Sequence, residues 1–361
     1  MIENSKEIQE RELEESNDRL AEPVPPVDIV AFTEARSCAD LFRLFQKQQL
    51  EIQPNFQRKV VWSDRDQTLF VDSLMKQMPI PSLCISLDAK TQQRVVIDGL
   101  QRMYTIIRFL DFAQKDWRLS CSEDVDERIS GKLVSEIHDN ESALFSTLEN
   151  LTIPVTVLRC DYSKSTHMDY LFQIFRRLNS GGRHLLNQEI RNCIYQGSFN
   201  TMIKRLSRSE KWCRFAGVTP KKVMQARFAH EERILRFFAF NELWSVYAGH
   251  FAAFLNDYME AYKDSNARQL ENFEAVFNDT MDIACKIGVN NMTKNVADAV
   301  LVGIAHNLGK LKDMGNAEIQ SRYQALMAEA EYSAAALGQG LSQKEKVSQR
   351  IKKSIEVFGR D

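Results

Sequence analysis

Val96-Ile-Asp-Gly-Leu-Gln-Arg102 decides how this 361-residue chain is read. The residues leading into it, Arg94 to Ile97, are short, apolar and strand-like. The residues after it place Met103, Ile106, Ile107 and Leu110 at the i, i+3, i+4, i+7 spacing of a helix stripe. Asp98-Gly99 is the break between the two. A strand that enters a helix through a glycine presents unpaired backbone N–H groups at the positive end of the helix dipole, which is a ready anion site. Arg102 stands in the first turn, where a guanidinium can grip phosphate with two parallel hydrogen bonds. Asp98, just before the turn, is placed to hold a divalent cation or orient a water. A plain βα turn with a surface arginine has the same local pattern, so both readings stay open here.

On either side, helix and strand signals mix. Asp40 to Leu50 reads as a helix, and Ser63-Asp64 as the N-cap of another running to about Gln77. Pro79-Ile-Pro81 stops that helix before an apolar strand, Leu83 to Leu87. Residues 116 to 148 are polar and loosely patterned, which suggests an insertion. Leu151 to Leu158 alternates and is β-branched, so a strand is expected there. Met168, Leu171, Phe172 and Phe175 give a helix stripe that Asn179-Ser-Gly-Gly182 ends, and Asn187 to about Tyr195 follows as a further helix. Beyond residue 200 the strand signal disappears, while Leu235, Phe238, Val296, Val300, Ile304 and Leu308 keep helical spacing. The expected fold is therefore α+β over residues 28–200, a small mixed sheet with helices, followed by an all-α helical domain over 201–361.

Two more clusters could carry chemistry. Pro54-Asn-Phe-Gln-Arg58 precedes Trp62, so Gln57 and Arg58 lie in an irregular segment free to face a ligand, with Phe56 and Trp62 as anchors. A polar loop over a Trp-centred core reads the same way. Phe175-Arg-Arg-Leu-Asn-Ser-Gly-Gly182 leads to Asn187, Glu189 and Arg191, and a Gly181-Gly182 turn lets backbone approach a ligand closely. Helix capping explains Asn179 and the glycines equally well.

Composition limits the alternatives. Lys plus Arg number 47 against 49 Asp plus Glu, which argues against a generally basic polyanion binder. The balance is local: residues 1–27 carry eight acids and three bases and end in the stiff Pro23-Val-Pro-Pro26 linker, whereas residues 200–236 carry ten bases and three acids. Seven scattered cysteines form no C-x-x-C pair, so reduced thiols are expected rather than a disulfide framework or zinc ribbon. No apolar run approaches a membrane span, so a cytoplasmic protein with no membrane association is expected. P-loop, G-x-G-x-x-G, G-x-S-x-G and H-E-x-x-H patterns are absent, and His138-Asp139-Asn140 lacks the context of an HNH nuclease.

In order and spacing the three clusters resemble one family, the N-terminal domain of GmrSD-type modification-dependent restriction enzymes, of ParB/sulfiredoxin-like fold. Its hallmarks read here as Gln57-Arg58 with Trp62, Ile97 to Arg102 as I-D-G-x-Q-R, and Arg177-Leu178-Asn179-Ser180-Gly181-Gly182 before Glu189-Ile190-Arg191. The resemblance, over roughly residues 38–240, implies a nucleoside triphosphate site. Asp98, Gly99, Gln101 and Arg102 would cradle phosphates, with Mg²⁺ on Asp98; Gln57 and Arg58 would close the pocket, and Asn179, Gly181 and Gly182 would line its far side. Asp98, Arg102 and Glu189, the last as water-orienting base, are the implied catalytic residues. It further implies an NTP-hydrolysing regulator in a prokaryotic anti-phage, restriction-type system, working with a separate nuclease or effector, and leaves homo-oligomers open. Leu100 departs from the pattern, since many relatives carry a second Gln there, and residues 241–361 have no counterpart of the HNH domain. Sulfiredoxin chemistry would need a Cys in the arginine turn. The rival is a non-enzymatic DNA-binding or protein-interaction module with a vestigial pocket. Its motivation is Lys204, Arg205, Arg208, Lys211, Arg214, Lys221 and Lys222, with Trp212 and Phe215 interleaved as stacking groups.

Overall fold

β3 (Leu83–Asp88) and β4 (Arg94–Asp98) form an antiparallel pair, and β5 (Thr152–Cys160) lies parallel to β3 on its other side. β1 (Val30–Ser37) closes one edge antiparallel to β5, and the two-residue β2 (Leu50–Glu51) closes the other parallel to β4. The strand order is therefore β1-β5-β3-β4-β2. The computed structural model describes residues 26–52, 62–178, 186–226, 228–289, 292–337 and 340–360. The chain divides into two units, Pro23–Leu185 and Leu186 onward.

Period-two alternation builds the first unit. Leu83, Ile85 and Leu87 of β3, Val96 of β4, and Ile153, Val155 and Val157 of β5 enter one core. Against them pack α1 (Cys38–Gln46), α2 (Asp64–Met75), α3 (Leu100–Leu110), α4 (Val134–Asn140) and α5 (Ser142–Asn150). Full burial of each such aliphatic or aromatic side chain contributes about 1.5–3 kcal/mol. α6 (Ser165–Leu178) packs on β4 and β5 through buried Met168, Leu171, Phe172 and Phe175. Ser63 caps α2 reciprocally with Asp66. Asp28 is tied down ahead of β1 by Lys164 and by His167, whose Nε2 lies 2.8 Å from Asp28 Oδ1 while its Nδ1 accepts from the Asp161 N–H.

Two expectations change and one strand is new. Residues 116–148, expected as a polar insertion of open structure, are part of the core unit: Trp117, Leu119, Val125, Ile129, Val134 and Ile137 are buried there, and α4 with most of α5 falls in the segment. The first helix ends at Gln46, and Leu50 belongs to β2. β1 gave no sequence signal because neither of its faces is buried: Val30, Ala31, Phe32 and Thr33 are all exposed, and Glu34 pairs with Arg36.

The second unit has no strand among its described residues. It comprises α7 (Asn187–Ile194), α8 (Ser198–Leu206), α9 (Glu210–Ala216), α10 (Pro220–Gln225), α11 (Ala229–Leu243), α12 (Phe251–Tyr262), α13 (Ala267–Ala284), α14 (Lys294–Ala305), α15 (Leu308–Leu311), α16 (Asn316–Met327) and α17 (Lys344–Gly359). α7 packs on α11 and α12. Phe199, Phe238, Phe273 and Phe277 form its aromatic centre, with ring centroids 5.2–6.1 Å apart. α14 and α17 cross so closely that a Cβ on Gly303 would meet Ser354 Oγ at 2.2 Å. Among the described residues no helix is long and apolar enough to cross a membrane.

Candidate functional site

The strand-to-helix passage is built as the sequence indicates. β4 ends at Asp98, and Gly99 turns the chain with φ 90° and ψ 20° before α3 begins at Leu100. This left-handed backbone favours glycine. Space demands it too, because a Cβ here would lie 2.3 Å from Leu83 Cδ2 and 3.1 Å from Arg102 Nη2. α3 has no side-chain cap and no acid in its first turn, so among the described residues its leading N–H groups have no side-chain acceptor. Leu100 is buried in the core. Its apolar side chain therefore faces inward, away from the turn's open side.

Arg102 folds back over Gly99. Its Nη1 donates to the carbonyls of Pro81 and Ser82, and its Nη2 to Asp98 Oδ2 at 3.0 Å. The guanidinium is mostly buried and its pKa is lowered by desolvation, which the Asp98 charge opposes. Asp98 keeps 37% of its side chain exposed. Gln101 Oε1 accepts the Trp62 N–H at 3.3 Å, so the fold joins the I-D-G-L-Q-R turn to the Trp of the second cluster. Gln57 and Arg58 of that cluster, and Asn179, Gly181 and Gly182 of the third, lie outside the described residues. Cys84 stands opposite Asp98 across the β3–β4 ladder, and burial, reinforced by the Asp98 charge, pushes its thiol up to about 12. A thiol so raised is poorly suited to nucleophilic chemistry at neutral pH.

Among the described residues no three Asp, Glu, His or Cys side chains converge on a metal site.

Next to the turn, a groove of about 580 Å³ opens between α2 and α3, lined by Phe45, Trp62, Asp64, Gln67, Tyr104, Ile107, Arg108, Asp111 and Lys115. Arg108 Nη1 donates to Asp64 Oδ1 (2.6 Å) and Gln67 Oε1 (2.9 Å), and its guanidinium lies 4.2 Å over the Trp117 ring. Of the groove residues, sequence reasoning named Trp62 and passed over Gln67, Tyr104, Arg108, Asp111 and Lys115 as groups that could face a ligand. The available signal was the i, i+3, i+7, i+10 spacing of Gln101, Tyr104, Arg108 and Asp111, a polar stripe beside the apolar one.

Glu189 and Arg191 lie on α7, in the helical unit. Glu189 is buried, and its Oε2 accepts the Leu186 N–H at 2.8 Å, half of a capping box whose other half leucine cannot supply. Arg191 is 1% exposed, bonded to Asn256, Gln188 and Glu232, and lowered in pKa by burial. Close by in the chain's fold, Arg236 pairs with Asp298 and lies over Phe251.

The basic stretch is less available than its composition implies. Arg205 pairs with Glu274, Lys211 with Asp282 and Arg214 with Glu210. Arg208, Lys221 and Lys222 are exposed. Trp212 and Phe215, expected as stacking groups, are 0% and 4% exposed and belong to the helical core, so they offer no face to a base.

Residues 41–196 match the family model described as GmrSD restriction endonuclease, N-terminal domain. The matched segment runs from α1 to the loop after α7 and contains both the Asp98–Arg102 turn and the Glu189–Arg191 helix. No curated protein and no solved structure matches the chain.

Proposed function

We propose that this chain, a restriction-type defence component whose residues 41–196 form a GmrSD-type N-terminal domain, binds and hydrolyses a nucleoside triphosphate and thereby regulates a separate nuclease or effector. The observation that carries the reading is the turn itself: a left-handed Gly99, an uncapped helix start and a desolvated arginine folded over it. Such a helix end is suited to phosphate because its N–H groups are fixed donors beside a positive dipole. In the proposed roles, the N–H groups of Leu100, Gln101 and Arg102 receive phosphate oxygens and the Arg102 guanidinium adds charge. Asp98, released from Arg102, would hold Mg²⁺ accompanying the phosphates; when bound, that ion supplies charge neutralisation at the phosphoryl oxygens.

Titration calorimetry with each common triphosphate and Mg²⁺, alongside phosphate release, tests this. Binding by the parent chain is expected, with at least tenfold loss in Arg102→Ala, since a hydrogen bond to a charged group contributes about 1.5–3 kcal/mol. Asp98→Asn is expected to weaken the Mg²⁺ dependence and abolish phosphate release while triphosphate still binds. No binding by any triphosphate, or an Arg102→Ala protein indistinguishable from the parent, overturns the reading.

A further inference from the structure

Resting on that reading, we infer that the groove between Trp62 and Tyr104 takes the base of the bound nucleotide, its ligand class being a neutral planar heterocycle. Position comes first. The Trp62 N–H bonds to Gln101 in the first turn of α3, so the groove begins where the phosphate cradle ends. From Gln101 the polar stripe passes Tyr104 to Arg108, about 10 Å of helix axis at 1.5 Å per residue. A molecule anchored by phosphates at one end reaches along this stripe with the other.

The lining suits a base. Phe45, Trp62 and Tyr104 supply aromatic surface, and Asp64 and Asp111 balance Arg108 and Lys115, so the groove has no net formal charge with which to draw a second anionic group. Gln67 is 3% exposed, and its amide is fixed from both ends: Nε2 donates to the Trp62 carbonyl at 3.1 Å and Oε1 accepts from Arg108. A fixed amide presents its remaining donor and acceptor in set directions, as reading a heterocycle edge requires. Holding α2 against α3 accounts for Arg108 and Gln67. It does not account for the side chains of Tyr104, Asp111 and Lys115, which line the same groove and make no hydrogen bond or ion pair among the described residues.

The experiment is calorimetric titration of the full chain, with Mg²⁺, against the four common nucleoside triphosphates, inorganic tripolyphosphate and a short single-stranded oligonucleotide. At least one nucleoside triphosphate is expected to bind about tenfold tighter than tripolyphosphate, the scale of one base–aromatic stack. Tyr104→Ala should remove most of that margin while tripolyphosphate affinity stays unchanged, and Tyr104→Phe, which keeps the ring, should retain most of it. Asp111→Asn, at the rim, should reorder preference among the bases. Tripolyphosphate binding as tightly as every nucleoside triphosphate, or a margin untouched by Tyr104→Ala, overturns the base site and leaves the phosphate site standing. An oligonucleotide that outcompetes all mononucleotides reassigns the groove to polynucleotide and overturns it as well. If neither tripolyphosphate nor any nucleotide binds, the functional reading fails first and the base site with it.

Discussion

Replacing Gly99 by Ala is the sharpest test of the turn. Two costs arise at one atom. The left-handed backbone, φ 90°, costs an L-residue roughly 1–2 kcal/mol. The added Cβ would meet Leu83 Cδ2 at 2.3 Å, and Leu83 is fully buried in the sheet core, so relief requires shifting a packed side chain. Overpacking of that kind costs about 1–3 kcal/mol. Together these predict a loss of about 2–5 kcal/mol from the sheet-containing unit. The assay is urea denaturation followed by pulsed hydrogen exchange on peptides spanning residues 83–110, which reports this unit separately from the helical one. Gly309→Ala is the matched control: it lies in helix α15 with nothing within 4 Å of the new Cβ, so it should raise stability by up to about 1 kcal/mol. A Gly99→Ala loss below about 0.5 kcal/mol, within the range of ordinary surface changes, would refute the argument that conformation and space both demand glycine.

Glu189 separates two roles by substitution: Gln preserves the side-chain acceptor for the Leu186 N–H and removes the carboxylate, whereas Ala removes both. Glu189→Ala should cost about 1 kcal/mol in urea unfolding, and if phosphate release survives in Glu189→Gln the water-orienting role is wrong. In the helical unit, Asp298→Ala removes the buried carboxylate that pairs with Arg236 and should cost about 3–5 kcal/mol, while Arg236→Met with Asp298→Leu should recover much of that, as read by urea midpoints. Lys164 first, then His167, hold Asp28 at about 2, below its usual carboxylate value. A depressed acid stabilises the fold above its unfolded pKa and loses that contribution as pH falls through the folded one, so the urea midpoint should drop from about pH 4 toward pH 2, with a shallower drop in Asp28→Asn.

What the sequence revealed depended on which surfaces a residue serves. β3, β4, β5 and α3 were legible because one partner, the core, dictates their spacing: Leu83, Ile85 and Leu87 alternate, and Met103, Ile106, Ile107 and Leu110 recur at helical intervals. β1 was silent because it lies at an edge, so its side chains need not alternate. The polar region 116–148 hid its buried anchors among charged neighbours, since Trp117, Leu119, Val125 and Ile129 are spread over a stretch without helix or strand and have no period. The turn could be read from Gly99, whose backbone only glycine adopts readily. Its neighbours could not. That Arg102 faces the Pro81 and Ser82 carbonyls, that Leu100 points inward, and that Trp212 is core rather than surface all follow from contacts distant in sequence.

Those contacts change how the arginine should work. A guanidinium positioned by Asp98 alone would lose its place when a phosphate arrived, because the ligand and the carboxylate compete for the same charge. Here the Pro81 and Ser82 carbonyls hold Nη1, and the Asp98 contact engages only Nη2, while Nε makes no hydrogen bond among the described residues. The Asp98 side of the pair is partly exposed, so an incoming anion can reach Nη2. A multiply charged phosphate offered to Nη2 and Nε therefore exchanges one anionic partner for another and leaves the carbonyl tether at Nη1 in place. Arg102 need not be ordered on binding, and much of its desolvation cost is already met in the folded chain. On the proposed reading, Asp98 is the group set free, which is why its substitution should be felt in the metal dependence before it is felt in triphosphate affinity.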